Sequence, residues 1–327
     1  MCGHDDRQVP FFSVVMPAYN ASRTIADAIG SVLAQTDDRW ELVIVDDGSS
    51  DATLEIARDH ALRDSRILVL RQAHGGAGAA RARAVEHSRG RYIARLDADD
   101  LYLPHYMQTM RSFIETNPGY GIYACNAEVF FPDGRVEPWL PEPRFEEVLS
   151  LDLDDLLRAC HIFTASAFDR TVYDLAGGSR AHIYNEDYDF WLRAMARGAR
   201  HIYTPAVLAR YRVSESQMSA DRRRAYDSDI RIMRDLIRSG LLIPRQVAIA
   251  RSRIRELHGL QGATAREGLR QAASGGDRSH LLRGLWDLRW SIRERAEAHL
   301  RSGVEQGIRL MRSVFPPVRN VRLRKGS

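Results

Sequence analysis

Cysteine is scarce. Cys2, Cys125 and Cys160 are the only three in 327 residues, too few and too widely spaced for a disulfide framework or a zinc knuckle. Lysine is almost missing: Lys325 stands alone among 47 basic side chains, which reads as a coding bias of the source genome rather than a functional signal. No apolar run approaches the roughly 18 consecutive residues that a membrane-crossing helix needs. The start, "MCGHDDRQVPFF", is acidic and lacks an apolar h-region, so no secretory signal is expected and an intracellular, cytoplasmic setting is. Internal repeats and low-complexity tracts are also missing.

What is present is a chain long enough for one large domain, or a domain with an extension, and an ordinary apolar fraction of 44%. The net charge of +4 hides an asymmetry. Residues 1–220 carry 23 basic and 32 acidic side chains, a net −9, whereas residues 221–327 carry 24 and 11, a net +13. A break of that size suggests two parts with different surroundings, residues 1–220 and an Arg-rich helical extension over residues 221–327.

From Phe12 to about Tyr123, short apolar runs alternate with amphipathic ones, the pattern of βαβ units around a mostly parallel sheet. "FSVVMP", "ELVIVD", "RILVLR" and "RYIARLD" read as strands; "SRTIADAIGSVLAQT", "ATLEIARDHAL" and "AGAARARAVEHS" read as helices. Further on, "YGIYACNAEVFFPDGRVEPW" reads as a strand pair turned at Pro132-Asp133-Gly134, "HIFTASAF" as a strand and "NEDYDFWLRAMARG" as a helix with Tyr188, Trp191, Leu192 and Met195 inward. In an open α/β sheet, ligands bind beyond the carboxyl ends of strands. Pro17–Asn20, Asp46–Asp51 and Asp97–Asp100 should therefore line one crevice.

The acids there suggest chemistry. Asp97 and Asp99 leave an extended segment on the same side, and paired carboxylates suit Mg²⁺ or Mn²⁺ shared with substrate phosphates; a solvated acidic turn, with Asp100 capping the next helix, is the plainer alternative. In "VIVDDGSSDAT", Asp46 or Asp47 can accept from a base N–H or a ribose hydroxyl. Pro17, Ala18 and Tyr19 can wall a flat base, though Tyr19 suits a packed lid equally well. Gly75 and Gly76 open a helix whose N–H groups can approach a phosphate; Arg81 and Arg83 either assist or are surface arginines. The loop is neither a Walker loop nor a dinucleotide GxGxxG.

Together "VVMPAYN", "SVLAQT", "ELVIVDDGSSDAT", "GGAGAARARAVEHSRGRYIARLDADD" and "NEDYDFWLR" resemble glycosyltransferase family 2, over roughly residues 12–215. The resemblance implies an α/β GT-A fold and an inverting, metal-dependent transfer from a nucleotide-sugar donor, UDP-linked, to a glycan or lipid-linked acceptor. By the same carry-over Ala18 and Tyr19 flank the base, Asp47 reads its N–H, Asp97 contacts ribose or metal-bound water, and Asp99 holds the metal. Asp187 corresponds to the general base, with Glu186 in reserve; acids in a first helical turn are also favoured by the helix dipole alone, by roughly 0.3–1 kcal/mol. Arg212 is a candidate diphosphate contact. Departures from the family pattern fall at His74, Ala82, Ser179-Arg180 and Ser214, the last leaving a third metal ligand unassigned.

Beyond Asp221, Leu281, Leu285, Leu288, Ile292, Ala296 and Leu300 form an apolar stripe with Trp286 and Trp290 beside it and arginines at its rim. Such a stripe suits packing on the catalytic domain or a second copy of the chain. It also suits, as the second reading, a peripheral seat on an anionic membrane's inner face; no recognition motif supports specific nucleic-acid binding. Two functional alternatives stand beside the transferase: a catalytically silent nucleotide-sugar binder and a nucleotidyltransferase.

Overall fold

The computed structural model describes residues 9–140, 143–181, 183–213 and 221–275. Strand β1 (Phe12–Ala18) is followed by α1 (Ile25–Leu33), β2 (Trp40–Asp46), α2 (Thr53–Ala61), β3 (Ile67–Arg71), α3 (Ala77–Glu86) and β4 (Tyr92–Arg95). Next come β5 (Leu101–Tyr102), α4 (Tyr106–Thr116), β6 (Ile122–Phe130), β7 (Val136–Pro138), a 3₁₀ turn (Pro143–Glu146), α5 (Leu153–Arg158), β8 (Ala167–Asp169) and α6 (Arg170–Ala176). The described chain closes with α7 (Glu186–Ala196), β9 (His201–Arg212), α8 (Arg222–Arg238) and α9 (Pro244–Gly275). The Leu281–Leu300 stripe, Trp286, Trp290 and Ser214 lie outside the described residues.

The strands form one sheet in the order β3-β2-β1-β4-β8-β6-β9-β5, with β7 on β6. β1 pairs in parallel with both β2 and β4, so the chain winds outward to β3 and returns across β1. That reversal opens a crevice at the carboxyl ends of β1 and β4. Pro17 fits in this central strand because the β1–β4 ladder ends at Val15 and Arg95, where no donor is required of it. The "HIFTASAF" strand is shorter than expected: only Ala167–Asp169 pairs, antiparallel to β4 and β6. β9, unexpected from its sequence, runs parallel to β6 with a register shift around Asn126.

Alternate residues of each strand feed two apolar layers, as the period of two requires. Phe12, Val14, Met16, Leu42 and Ile44 pack with α1 and α4. Val15, Val43, Val45 and Ile93 pack with Ala80 and Ala84 of α3 and with Trp191 and Leu192 of α7. Ile232, Met233 and Leu236 of α8 join the second layer. The first compact unit runs to Ile254, so α8 and the start of α9 fold within it, beyond the charge break at residue 220.

Two glycines test this packing in opposite directions. A methyl on Gly78 would collide with the backbone carbonyl of Arg180, which seats α3 against the loop ahead of α7; a methyl on Gly30 would meet nothing within 4 Å. Gly78→Ala is expected to lower unfolding free energy by about 2 kcal/mol, and Gly30→Ala, inside α1, to raise it by about 0.5–1 kcal/mol. Urea denaturation of the two variants measures both; equal midpoints would contradict the close approach at Gly78.

Candidate active site

The β1 and β2 exits are fastened to each other before any ligand is considered. Asn20 has φ 49°, a left-handed turn that Asn tolerates better than most residues. Its N–H donates to Ser49 Oγ at 3.0 Å and its Oδ1 accepts from Ser50 N at 2.9 Å. Ala21 N donates to Thr53 Oγ1 at 2.7 Å, and Ser22 N to Asp51 Oδ2 at 3.1 Å. Burial would raise the Asp51 carboxyl, but the bonds from Thr53 and Ser22 outweigh it and hold the group down at about 2. Much of "PAYN" and "DGSSDAT" is thus explained by loop architecture.

Asp46 and Asp47 part company. Asp46, at the end of β2, is fully buried and lies 3.4 Å from Arg71 Nε. Asp47 Oδ1 accepts from Gln72 Nε2 at 2.7 Å and Gly75 N at 2.9 Å, and its Oδ2 accepts from Gly76 N at 2.8 Å. The N–H groups expected to meet a phosphate here meet a carboxylate, which is the same preference of a helix N-terminus for negative charge. His74 Nδ1 is 2.9 Å from Asp47 Oδ2, and its ring lies 4.2 Å, centroid to centroid, from the half-exposed ring of Tyr19. Tyr19 is thus half-exposed at the exit of β1, and Pro17 and Ala18 ahead of it are buried.

At the end of β4, Asp97, Asp99 and Asp100 bring carboxylate oxygens within 4.8 Å of one another. Asp100 is buried and accepts Arg212 N at 3.0 Å; burial, then the charges of Asp97 and Asp99, push its carboxyl well up. Arg212 also donates through Nε to the Asp99 carbonyl at 3.1 Å, so β9 closes over the acid turn. Hard oxygen donors crowded at this spacing, two of them partly open, fit a divalent cation such as Mg²⁺ or Mn²⁺.

Arg81 is not a surface residue. It is 5% exposed and its guanidinium binds both Asp97 and Glu186. Arg95, which the sequence reading left unassigned, is 2% exposed, binds the same Glu186 oxygen and lies 5.3 Å from the Trp191 ring centroid. The signal for it was an arginine inside the apolar run "YIARL": such a residue needs a buried partner. Asp187, one residue on, remains partly exposed and accepts Tyr188 N at 2.8 Å and Thr164 Oγ1 at 3.4 Å. Thr164 was also missed. Arg180 and Arg193 both bind the fully buried Asp189, so the departure at Ser179-Arg180 is tied into the far side of α7.

A doubly flanked α/β sheet with an acid turn at its switch point and an acid-led helix facing the same crevice is the architecture of a GT-A glycosyltransferase. The chain belongs to glycosyl transferase family 2, whose model matches residues 13–177. It is 32% identical over 213 residues to the Escherichia coli UDP-Glc:alpha-D-GlcNAc-diphosphoundecaprenol beta-1,3-glucosyltransferase WfgD, covering 64% of this chain and 80% of that one. The fold resembles S. aureus TarS 1-349 in complex with UDP-GlcNAc, with a TM-score of 0.63 and 19% identity over 88% of this chain and 83% of that one. It also resembles mannosyltransferase PcManGT from Pyrobaculum calidifontis in complex with GDP-Man and Mn²⁺, with a TM-score of 0.60 and 18% identity over 95% and 82% of the two chains.

Removing one partner of a buried ion pair strands the other charge at a cost of about 3–5 kcal/mol. Arg95→Met is accordingly expected to lose about 3 kcal/mol of unfolding free energy, measured by urea denaturation, because it leaves the Arg81, Glu186 and Asp97 set with one uncompensated negative charge. A loss under about 0.5 kcal/mol would show that Arg95 is not Glu186's buried counter-charge.

Proposed function

We propose that the chain transfers a hexosyl or N-acetylhexosaminyl group, with inversion, from a UDP-sugar to a hydroxyl of a glycan or lipid-linked acceptor. The observation that carries this reading is Arg81. Its guanidinium spans Asp97 of the acid turn and Glu186 at the head of α7, tying a diphosphate-and-metal half to a proton-accepting half in one crevice.

Tyr19 with Pro17 and Ala18 forms the base wall in this reading, and Asp47 with Gly75 and Gly76 the edge against which the nucleoside is set. Asp99, with Asp97, would hold Mn²⁺ or Mg²⁺, which supplies Lewis-acid stabilisation to a departing diphosphate. Arg212 adds a cationic group at the same turn. Asp187 takes the acceptor's proton, because its carboxylate is partly open whereas Glu186 is committed to Arg81 and Arg95. An inverting displacement needs its base on the sugar face away from the leaving group, and α7 provides an element separate from the acid turn.

The names of the relative and of the neighbours supply the substrate classes: a UDP-glucose donor with a lipid-diphosphate-linked acceptor for one, UDP-GlcNAc for another. Among the described residues no helix is long and apolar enough to cross a membrane. An enzyme acting on a lipid-linked glycan would then meet its acceptor from the membrane surface, with the Arg-rich residues 221–327 as an extension suited to anionic lipid.

Incubation with UDP-glucose, UDP-GlcNAc and GDP-mannose, with Mn²⁺, Mg²⁺ or EDTA and a GlcNAc-diphospholipid acceptor, tests the reading. Turnover of a UDP-sugar that EDTA abolishes is expected, with NMR of the product reporting the anomeric configuration. Asp187→Asn should lower kcat by about 10²–10⁴-fold and Asp99→Ala should remove the metal dependence together with activity. No turnover of any donor would leave a silent nucleotide-sugar binder.

A further inference from the structure

The first residue of a helix usually spends its side chain on the helix's own free N–H groups. Asn185, ahead of α7, makes no such capping bond. Its Nδ2 donates instead to Asp229 Oδ1 at 2.6 Å and to the Ala225 carbonyl at 3.3 Å, and its N–H donates to Ser228 Oγ at 3.2 Å. All three partners lie on α8, past the end of the family match at residue 177. Three hydrogen bonds therefore anchor the residue two before Asp187 to a helix that neither the motifs nor the family model places at the site.

Asp229 itself is an unusual anchor. Burial pushes its carboxyl up to about 6; the bond from Asn185 and the charge of Arg253 on α9 pull it down, and the charge of Asp187 pushes it up. The other ionisable groups facing it are the buried Tyr188 hydroxyl of α7 and the half-buried Cys160 thiol after α5, both raised by desolvation well above their ordinary values. Above about pH 6 Asp229 is thus a buried anion within electrostatic reach of Asp187. A nearby like charge disfavours the charged form of a carboxyl and favours its protonated form.

We propose that α8 is part of the catalytic apparatus, with Asp229 a positioning residue that fixes the first turn of α7 through Asn185 and sets a second negative charge behind the base Asp187. The inference rests on the reading of Asp187 as the base. It gives α8 a role in the reaction in addition to any part that residues 221–327 take in membrane attachment.

The experiment uses the full chain and compares Asp229→Asn, Asp229→Ala and Asp187→Asn with the parent. It records kcat and donor KM from pH 5 to 9, as nucleotide release from the donor that the panel above shows to be turned over, UDP-glucose first, together with Tm at pH 7.5. Asparagine keeps an acceptor for Asn185 and removes the charge. Asp229→Asn should hold its Tm, because the parent carboxylate is destabilised by burial once pH exceeds about 6 and the amide is not. Its donor KM should stay within about twofold, while kcat falls and its acid limb moves to lower pH. Asp229→Ala should lose at least about tenfold in kcat, with Asp229→Asn lying between it and the parent. A merely structural contact would change Tm and leave the pH limb in place. If Asp187→Asn is inactive while both Asp229 variants keep the parent kcat and acid limb, the inference is overturned and the base assignment survives. If Asp187→Asn keeps the parent kcat, the base assignment falls and the inference with it.

Discussion

Two arginines converge on one oxygen of Glu186, and the rest of the site is arranged around that contact. Arg81 comes from α3, Arg95 from β4 and Glu186 from α7, and none is more than 5% exposed. Charges taken out of water persist only when they compensate each other. Arg81 and Arg95 carry two positive charges, Glu186 supplies one negative charge, and Asp97 supplies the second through Arg81. This short chain is neutral as a set. It fixes α7 to the sheet and leaves Asp99, Asp100 and Asp187 outside the compensated group.

Once that chain is closed, the remaining acids fall into two kinds. Asp187 sits at the head of α7, partly exposed, with its carboxylate accepting the Tyr188 N–H. Asp100 is buried beside Asp97 and Asp99, where burial and like charge oppose ionisation. Crowded carboxylates of the second kind are compatible with a divalent cation. The crevice is consequently divided into a turn crowded with acids and a helix start whose Asp187 is partly open, and Arg81 reaches from Asp97 of the turn to Glu186 of the helix.

The parts legible in the sequence are those in which one residue's neighbours in the chain are also its neighbours in space. Strands β1 to β4 announced themselves by apolar runs, and Asp97 and Asp99 by their place at a strand end. β9 was not visible: "HIYTPAVLARYR" mixes polar and apolar residues without alternation because it shifts register against β6 around Asn126. Its Arg212 reaches the acid turn from more than 100 residues away, a pairing no local pattern encodes. Arg95 was visible as an anomaly and Glu186 as a motif, yet only the fold joins them. Asn185 belonged to a recognised motif, but its partners on α8 lay beyond the motif's reach.

Asp47 shows why a motif and its function can be separated by one layer of structure. In the sequence it is one of two acids beside a glycine turn, and the glycine-rich "HGGAG" lies 27 residues later with no evident link. In the fold the two meet because β2 and β3 are adjacent and parallel, so that both loops leave the same edge of the sheet. Asp47 then satisfies the N–H groups of Gly75 and Gly76, while Gly48, at φ 79°, turns the chain so closely under the loop that a Cβ there would come within 3.0 Å of His74 N. Each glycine is set by a contact with a segment distant in sequence. The acid and the glycines form one edge of the crevice, and its shape follows from strand order rather than from any single stretch of chain.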